Sequence, residues 1–303
     1  MTTYRSNGKL LLTAEYVVLD GANALALPTN YGQSLTVEHF DEPQLNWISI
    51  NHKGDIWFEA LLPLEKIYSE FSNSYSDLEK RVIEILHSAK QLNSEFLKND
   101  SGFKVTTKLD FPNNWGLGSS STLINNIANW ANVDAYQLLQ LTFGGSGYDI
   151  ACAQYNNPIT YQNNPDKTRI VNSISFNPSF KNELFFVHLN QKQNSRHGIE
   201  HYRTNKHNVT TIIKEINSIT HRIINCLSIS EFETLITAHE QIISKLINIP
   251  TFKLTLFPDY SRAIKSLGAW GCDFVLATGT NDDMFYFKNK GYQTIIPYSE
   301  MIL

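Results

Sequence analysis

The 303-residue sequence is short of cysteine, of net charge and of long apolar runs, and each shortage removes a class of protein. Its three cysteines, Cys152, Cys226 and Cys272, are widely spaced and odd in number. That pattern fits neither a disulfide framework nor a zinc site, and it points to a reducing compartment. The net charge is −4, so no general basic field exists to hold a nucleic acid. The most apolar early run, LLLTAEYVVLDGANALALP, is interrupted by Glu15 and Asp20 and is too polar to span a bilayer. The opening MTTYRSNGKL lacks the charged-then-apolar build of a secretory signal. No repeat, low-complexity tract or heptad run is evident. The expectation is a soluble, cytoplasmic protein with no nucleic-acid and no membrane partner.

What the chain does have is apolar residues at 42% and aromatics at 12%, enough for a sizeable core. Its length suits two domains. Short alternating bursts near residues 9–19, 33–39, 45–50 and 55–60 predict strands. Leu78, Val82, Ile85, Leu86, Ala89, Leu92 and Phe96 recur at helical steps and predict a helix. GFKVTTKL alternates strictly, with Phe103, Val105, Thr107 and Leu109 on one face, and predicts a half-buried strand. Further on, the pattern predicts a helix over 123–131, strands at PITYQ and ELFFVHLN, and helices over 212–227 and 232–246. A helix over 259–267, a strand at DFVLAT and a final strand near FYFKN complete the reading. The Asn-, Pro- and Ser-rich stretch 162–182 is the best boundary, dividing the chain into residues 1–172 and 173–303. Two mixed α+β domains result.

One stretch, PNNWGLGSSST at 112–122, joins the half-buried strand to the next helix. It can be a plain strand–helix turn with a serine N-cap. It also has what an anion site needs. Gly116 and Gly118 remove the side chains that would keep a ligand from the backbone. Ser119, Ser120 and Ser121 fall in a first helical turn, where N–H groups and the helix dipole favour negative charge. No lysine follows the second glycine, so this is not the GxxxxGK[ST] loop, and the cation must come from elsewhere.

Three other stretches supply candidates. SNGKLLLTAEY sets Gly8 and Lys9 at a strand start and Glu15 six residues on; by themselves they read as a surface lysine and an exposed carboxylate. GGSGYDIACA sets Asp149 after a glycine turn and before a helix, where capping is its ordinary role. KSLGAWGCDFVLATG sets a Gly-rich turn before a strand, which by itself is a glycine C-cap. In the second half, LNQKQNSR brings Lys192, Ser195 and Arg196 into one short span, a solvated turn or a site for an acidic group.

Taken in order, these stretches resemble the GHMP kinases, the superfamily of galactokinase, homoserine kinase, mevalonate kinase and phosphomevalonate kinase. Gly8, Lys9, Glu15 and Tyr16 match its first motif. Pro112, Gly116, Leu117, Gly118, Ser119 and Ser120 match its second, P-x-x-x-G-L-G-S-S-A. Lys265, Gly268, Ala269 and Gly271 match its third, K-x-x-G-A-x-G-G. SGYDIACAQYNNPI is similar to the catalytic-Asp segment of the phosphomevalonate kinase branch. The likeness reaches nearly the whole chain. Departures are Asn7 and Ala14, where the family prefers Pro and Gly, and Cys272 for the last glycine of the third motif. In DAYQLLQLTF no carboxylate follows Asp134, where mevalonate kinases carry a metal-binding Glu; Gln140 is the nearest polar residue.

The resemblance implies an N-terminal α+β domain with a left-handed βαβ unit and a C-terminal ferredoxin-like domain. It implies an ATP-dependent small-molecule kinase using Mg²⁺, with mevalonate or phosphomevalonate as the leading acceptor. Residues 116–121 would cradle the phosphates, with Ser120 on the metal. Asp149 would be the catalytic carboxylate and Lys9 its cationic partner, and Gly268, Ala269 and Gly271 would support the loop. Glu15, Lys192, Ser195 and Arg196 are the candidate acceptor contacts. A non-catalytic GHMP-fold binding protein and a diphosphomevalonate decarboxylase-like enzyme stay open, as does a homodimer.

Overall fold

The computed structural model describes residues 1–68, 75–98, 101–164, 166, 168–191, 195–206, 208–268, 270 and 273–303. They form two compact units, neither continuous in sequence. One comprises Met1–Gly8, Tyr31–Asn113 and Leu117–Gln154; the other comprises Lys9–Asn30, Asn114–Gly116 and Tyr155–Leu303.

The first unit is a sheet covered by helices. The strands are β1 (Thr2–Leu11) and β2 (Ala24–Phe40), which each belong partly to the second unit, then β3 (Gln44–Ile50), β4 (Ile56–Pro63) and β5 (Gly102–Leu109). β3 pairs antiparallel with β4 and parallel with β5, and β5 pairs antiparallel with β2 from Gln33↔Leu109 to Phe40↔Gly102. Parallel β3 and β5 need a crossover, supplied by α1 (Leu64–Tyr68) and α2 (Asp77–Leu92). The alternation in β5 does what it predicts: Phe103, Val105 and Leu109 are buried and Lys104 and Lys108 are exposed. α2 starts in a capping box, Ser76 with Glu79, which satisfies two backbone donors reciprocally. Its Val82, Ile85, Leu86 and Ala89 share one core with Trp47, Val105 and residues of α3 (Ser119–Ala131). α4 (Ala135–Thr142), capped by Asp134, and α5 (Tyr148–Gln154) complete the unit.

In the second unit the start of β2 pairs with β6 (Ile159–Asn163), which pairs with β7 (Arg169–Ser173). A separate antiparallel sheet has the order β11-β8-β10-β9, from β8 (Leu184–His188), β9 (Ile264–Ser266), β10 (Phe274–Thr278) and β11 (Ile295–Pro297). β8 and β10 are buried at every residue. Helices α6 (Ser195–Asn205), α7 (Thr210–Ile224), α8 (Ile229–Ile247) and α9 (Phe252–Thr255) lie in the chain between β8 and β9. α10 (Phe285–Asn289) and α11 (Tyr298–Met301) follow β10 and β11. No helix among the described residues is long and apolar enough to cross a membrane.

The α+β class stands, and four local readings are corrected. The strand near 9–19 ends at Leu11, because the chain then turns through left-handed Ala14 and Tyr16 into the 3-10 turn Val17–Asp20. Residues 259–267 are not a helix but a turn and β9, whose three residues are all buried against β10. FYFKN is α10 rather than a strand: Asp283 accepts from Thr280 N, closing a turn, and Phe287 enters the core beside Phe257 and Tyr260. The stretch 162–182 contains β7, and the units interleave instead of meeting at residue 172.

Candidate active site

In the first unit the Gly-Ser turn enters α3 through Gly118, whose φ of 89° lies in the left-handed region that favours glycine. No side chain caps the helix, and its first turn holds no acidic residue. The backbone N–H groups at its start are therefore not taken by a capping side chain or by a carboxylate of the helix's own first turn. Leu117 is buried, Ser119 is half-buried and Ser120 is exposed. Ser121 differs from its two neighbours. Its side chain is buried, and its hydroxyl donates to Gly118 O at 2.9 Å. It closes the turn from within, unlike half-buried Ser119 and exposed Ser120.

Asp149 stands half-buried in the first turn of α5, after three left-handed glycines, Gly144, Gly145 and Gly147. At Gly144 and Gly145 a Cβ would meet nothing within 4 Å, so conformation rather than space requires glycine. One Asp149 oxygen accepts from Ile150 N at 3.1 Å. Gln140 donates to Gly145 O at 3.1 Å, so this amide braces the glycine turn. α5 is tied to α3 by Gln154 Nε2, which donates to Asn125 Oδ1 at 2.9 Å. Asn125 donates to Ser6 Oγ, and Ser6 donates to Asn126 Oδ1 at 2.7 Å. Asn126 donates to Gln33 O, and Thr122 Oγ1 donates to Gln33 Oε1 at 2.8 Å. A buried polar chain thus links the helix behind the Gly-Ser turn to the helix of Asp149.

In the second unit Lys9 Nζ donates to Gly116 O at 2.9 Å. On its other side Gly116, at φ 65°, lies against the Asp273 carboxylate, with which any Cβ there would collide. The preceding residues are held as well. His188 Nε2 lies 3.1 Å from Asn114 O, and Trp115 meets Phe274 edge-on at 5.5 Å. Motif one, the start of motif two and the residue just after motif three thus converge on Gly116. Asp273, His188 and Trp115 escaped the sequence reading. For Asp273 the signal was a carboxylate between a Gly-rich turn and a buried strand.

Glu15 is fully buried, as is Lys265, whose Nζ donates to Glu15 Oε1. Lys265 also donates to Glu240 Oε1 at 3.2 Å and to Ser266 O at 2.8 Å. His239 Nε2 accepts from Ala14 N at 2.9 Å and lies 3.4 Å from Glu15 Oε2. Burial pushes the Glu15 carboxyl up to about 7, with Lys265 opposing the rise. Burial likewise raises Glu240 and holds His239 well below the usual imidazole range. The expectation of an acceptor contact at Glu15 therefore meets a side chain with no solvent-facing surface. Its partners lie up to 250 residues away, and nothing local in the sequence announces them.

Gly268 is left-handed with open space beyond its Cα, and Trp270, φ 46°, is buried beside it. Ala269, Gly271 and Cys272 lie outside the described residues, as does Lys192; Ser195 and Arg196 open α6. Among the described residues no group of three or more His, Cys, Asp or Glu could hold a metal.

No family model and no curated protein sequence matches the chain. Solved structures do. A crystal structure of mevalonate kinase matches with TM-score 0.71 at 18% identity, over 98% of each chain. Methanococcus jannaschii mevalonate kinase matches with TM-score 0.70 at 18% identity, over 97% of this chain and 96% of that one. Streptococcus pneumoniae phosphomevalonate kinase, in complex with phosphomevalonate and AMPPNP, matches with TM-score 0.71 at 15% identity, over 96% of each chain. Along nearly its whole length, the chain has the two-domain α+β fold of the mevalonate and phosphomevalonate kinases.

Proposed function

We propose that this protein is an ATP-dependent kinase of the GHMP superfamily that phosphorylates a small acid, with mevalonate or phosphomevalonate as acceptor. The observation that carries this reading is the uncapped start of α3 behind left-handed Gly118. Residues 116–121 hold the nucleotide phosphates through backbone N–H groups, with Ser119 and Ser120 adding hydroxyls. Asp149 accepts or orients the acceptor's hydroxyl proton, and Lys9 offsets charge on the transferring group. Gly268, Ala269 and Gly271 support the loop. Lys192, Ser195 and Arg196 take the acidic end of the acceptor.

The residues present also fit Mg²⁺ in a limited way. Ser120 offers an exposed hydroxyl, whereas Gln140 directs its amide N–H to a backbone carbonyl. Mg²⁺ commonly keeps several waters and takes its other ligands from phosphate oxygens, so one protein hydroxyl is a workable share. When bound, the ion neutralises charge on the β- and γ-phosphates. The same Gln140 favours a second reading, a GHMP-fold protein that binds its ligand without turnover. Incubation with ATP·Mg²⁺ and, separately, mevalonate, phosphomevalonate, galactose and homoserine decides between them. Phosphorylation of one acceptor supports the kinase; nucleotide binding with no product supports the second reading.

A further inference from the structure

The cluster around Glu15 has a charge problem that its hydrogen bonds resolve in one way. It holds two carboxylates, Glu15 and Glu240, and one ammonium, Lys265, all essentially inaccessible to solvent. The imidazole beside them is neutral, because His239 Nε2 accepts from Ala14 N–H and cannot carry a proton itself. With both carboxylates ionised, a net negative charge would be sealed in the interior, which is costly unless a proton neutralises it.

Counting donors locates that proton. Lys265 Nζ donates to Glu15 Oε1, Glu240 Oε1 and Ser266 O, so its donors are all used. Glu240 Oε2 accepts from Ser266 Oγ at 2.9 Å, so Glu240 is satisfied as a carboxylate. Glu15 Oε2 is buried and has no hydrogen-bond donor. Of the four carboxylate oxygens it is the one that no donor occupies, and His239 Nε2 lies 3.4 Å from it.

We propose that Glu15 is held as a neutral carboxylic acid, and that this buried proton fixes the turn behind the strand carrying Lys9. The turn is one the backbone resists, since Ala14 and Tyr16 are non-glycine residues at φ 67° and 65°. It is held by the Ala14 N–H bond to His239 on one side and by Glu15 on the other. Glu15 is therefore a positioning residue. The titratable groups that face it are Lys265 from β9, Glu240 and His239 from α8, and Tyr16 from its own turn; burial and Glu15 raise the Tyr16 hydroxyl, which stays protonated. The rise of Glu15 to about 7 agrees with the donor count. The functional consequence rests on the kinase reading; the proton itself does not.

Gln is the natural probe, because its amide copies the shape of the neutral acid and cannot ionise. Infrared difference spectroscopy of the whole protein should show a protonated-carboxyl C=O band below pH 7 that fades above it. E15Q should lack that band. E240Q should lose it too, since one carboxylate against one lysine leaves no charge for a proton to cancel. In melting experiments the wild type should lose stability as pH rises from 4.5 to 7, because the folded state keeps a proton that the unfolded chain releases. That loss should be smaller in E15Q, where Glu240 alone still resists ionisation. If the enzyme is active, its rate should fall on the alkaline side, and E15Q should remove that limb. No titrating band in the wild type, or a band that survives in E15Q, overturns the proposal. A wild type that shows the band but transfers no phosphoryl group overturns the kinase reading alone.

Discussion

The Cα of Gly116 rests against the carboxylate of Asp273, with no room for a side chain between them. Glycine is required there twice over, by φ 65° and by the carboxylate. Gly116→Ala should cost about 2 kcal/mol or more, from the left-handed backbone and from overpacking together. Gly116→Ala with Asp273→Ala should recover the steric share and leave the backbone share. Chemical denaturation of the two variants separates these contributions.

Gly118→Val tests the anion turn. The residue sits at φ 89°, so some stability is lost, but the circular dichroism spectrum should persist. AMPPNP binding by calorimetry should disappear, since a branched side chain would stand where the phosphates approach the backbone. Undiminished binding would reduce GLGSSS to an ordinary turn.

Asp149→Asn keeps the shape of the side chain and removes its capacity to take a proton. Turnover should fall by about two to four orders of magnitude, with nucleotide affinity retained. Lys9→Met should also lower kcat, and the double variant should lose less than the two separately if the residues act as a unit. A helix cap alone would cost about 1 kcal/mol of stability and leave kcat intact. Measuring kcat and Tm on one preparation distinguishes these outcomes.

Lys265→Met removes the cation shared by Glu15 and Glu240 and should destabilise the fold by about 3–5 kcal/mol, the usual result of stripping one partner from a buried pair. Both carboxyls then favour the protonated form. The deficit should be smallest at acid pH and grow as pH rises, because each is harder to ionise folded than unfolded. Urea unfolding across that range measures the trend.

Much of the first unit was legible because its signals are local. The stepped apolar residues of α2 and the alternation of β5 each carry their own period, and the structure follows both, except that Leu78 is exposed and Phe96 lies past the end of α2. Short elements were harder. β9 has three residues, and its strand character comes from pairing with β10 rather than from its own sequence. The aromatics of FYFKN favour a strand by composition, yet α10 forms because Asp283 closes the preceding turn and Phe287 reaches a core. The serines of the turn were legible as a group, whereas the inward turn of Ser121 depends on helix phase. Glu15 read as an exposed carboxylate because a charged residue is usually solvated, and Lys265 only as part of the third motif. Only the fold brings the two together.

The interleaving of the two units bears on how the protein can be made. Every segment of the first unit has left the ribosome once residue 154 is out, whereas Lys9–Asn30 belongs with a partner that ends at Leu303. Residues 9–30 must wait on the order of ten seconds or more at ordinary synthesis rates of about 5–20 residues per second. In that interval the apolar run LLLTAEYVVLDGANALALP has no β6 and no α8 to cover it. A nascent chain halted before β6 would leave it without either cover, so the protein's demand on chaperones should centre on its own N-terminal tenth.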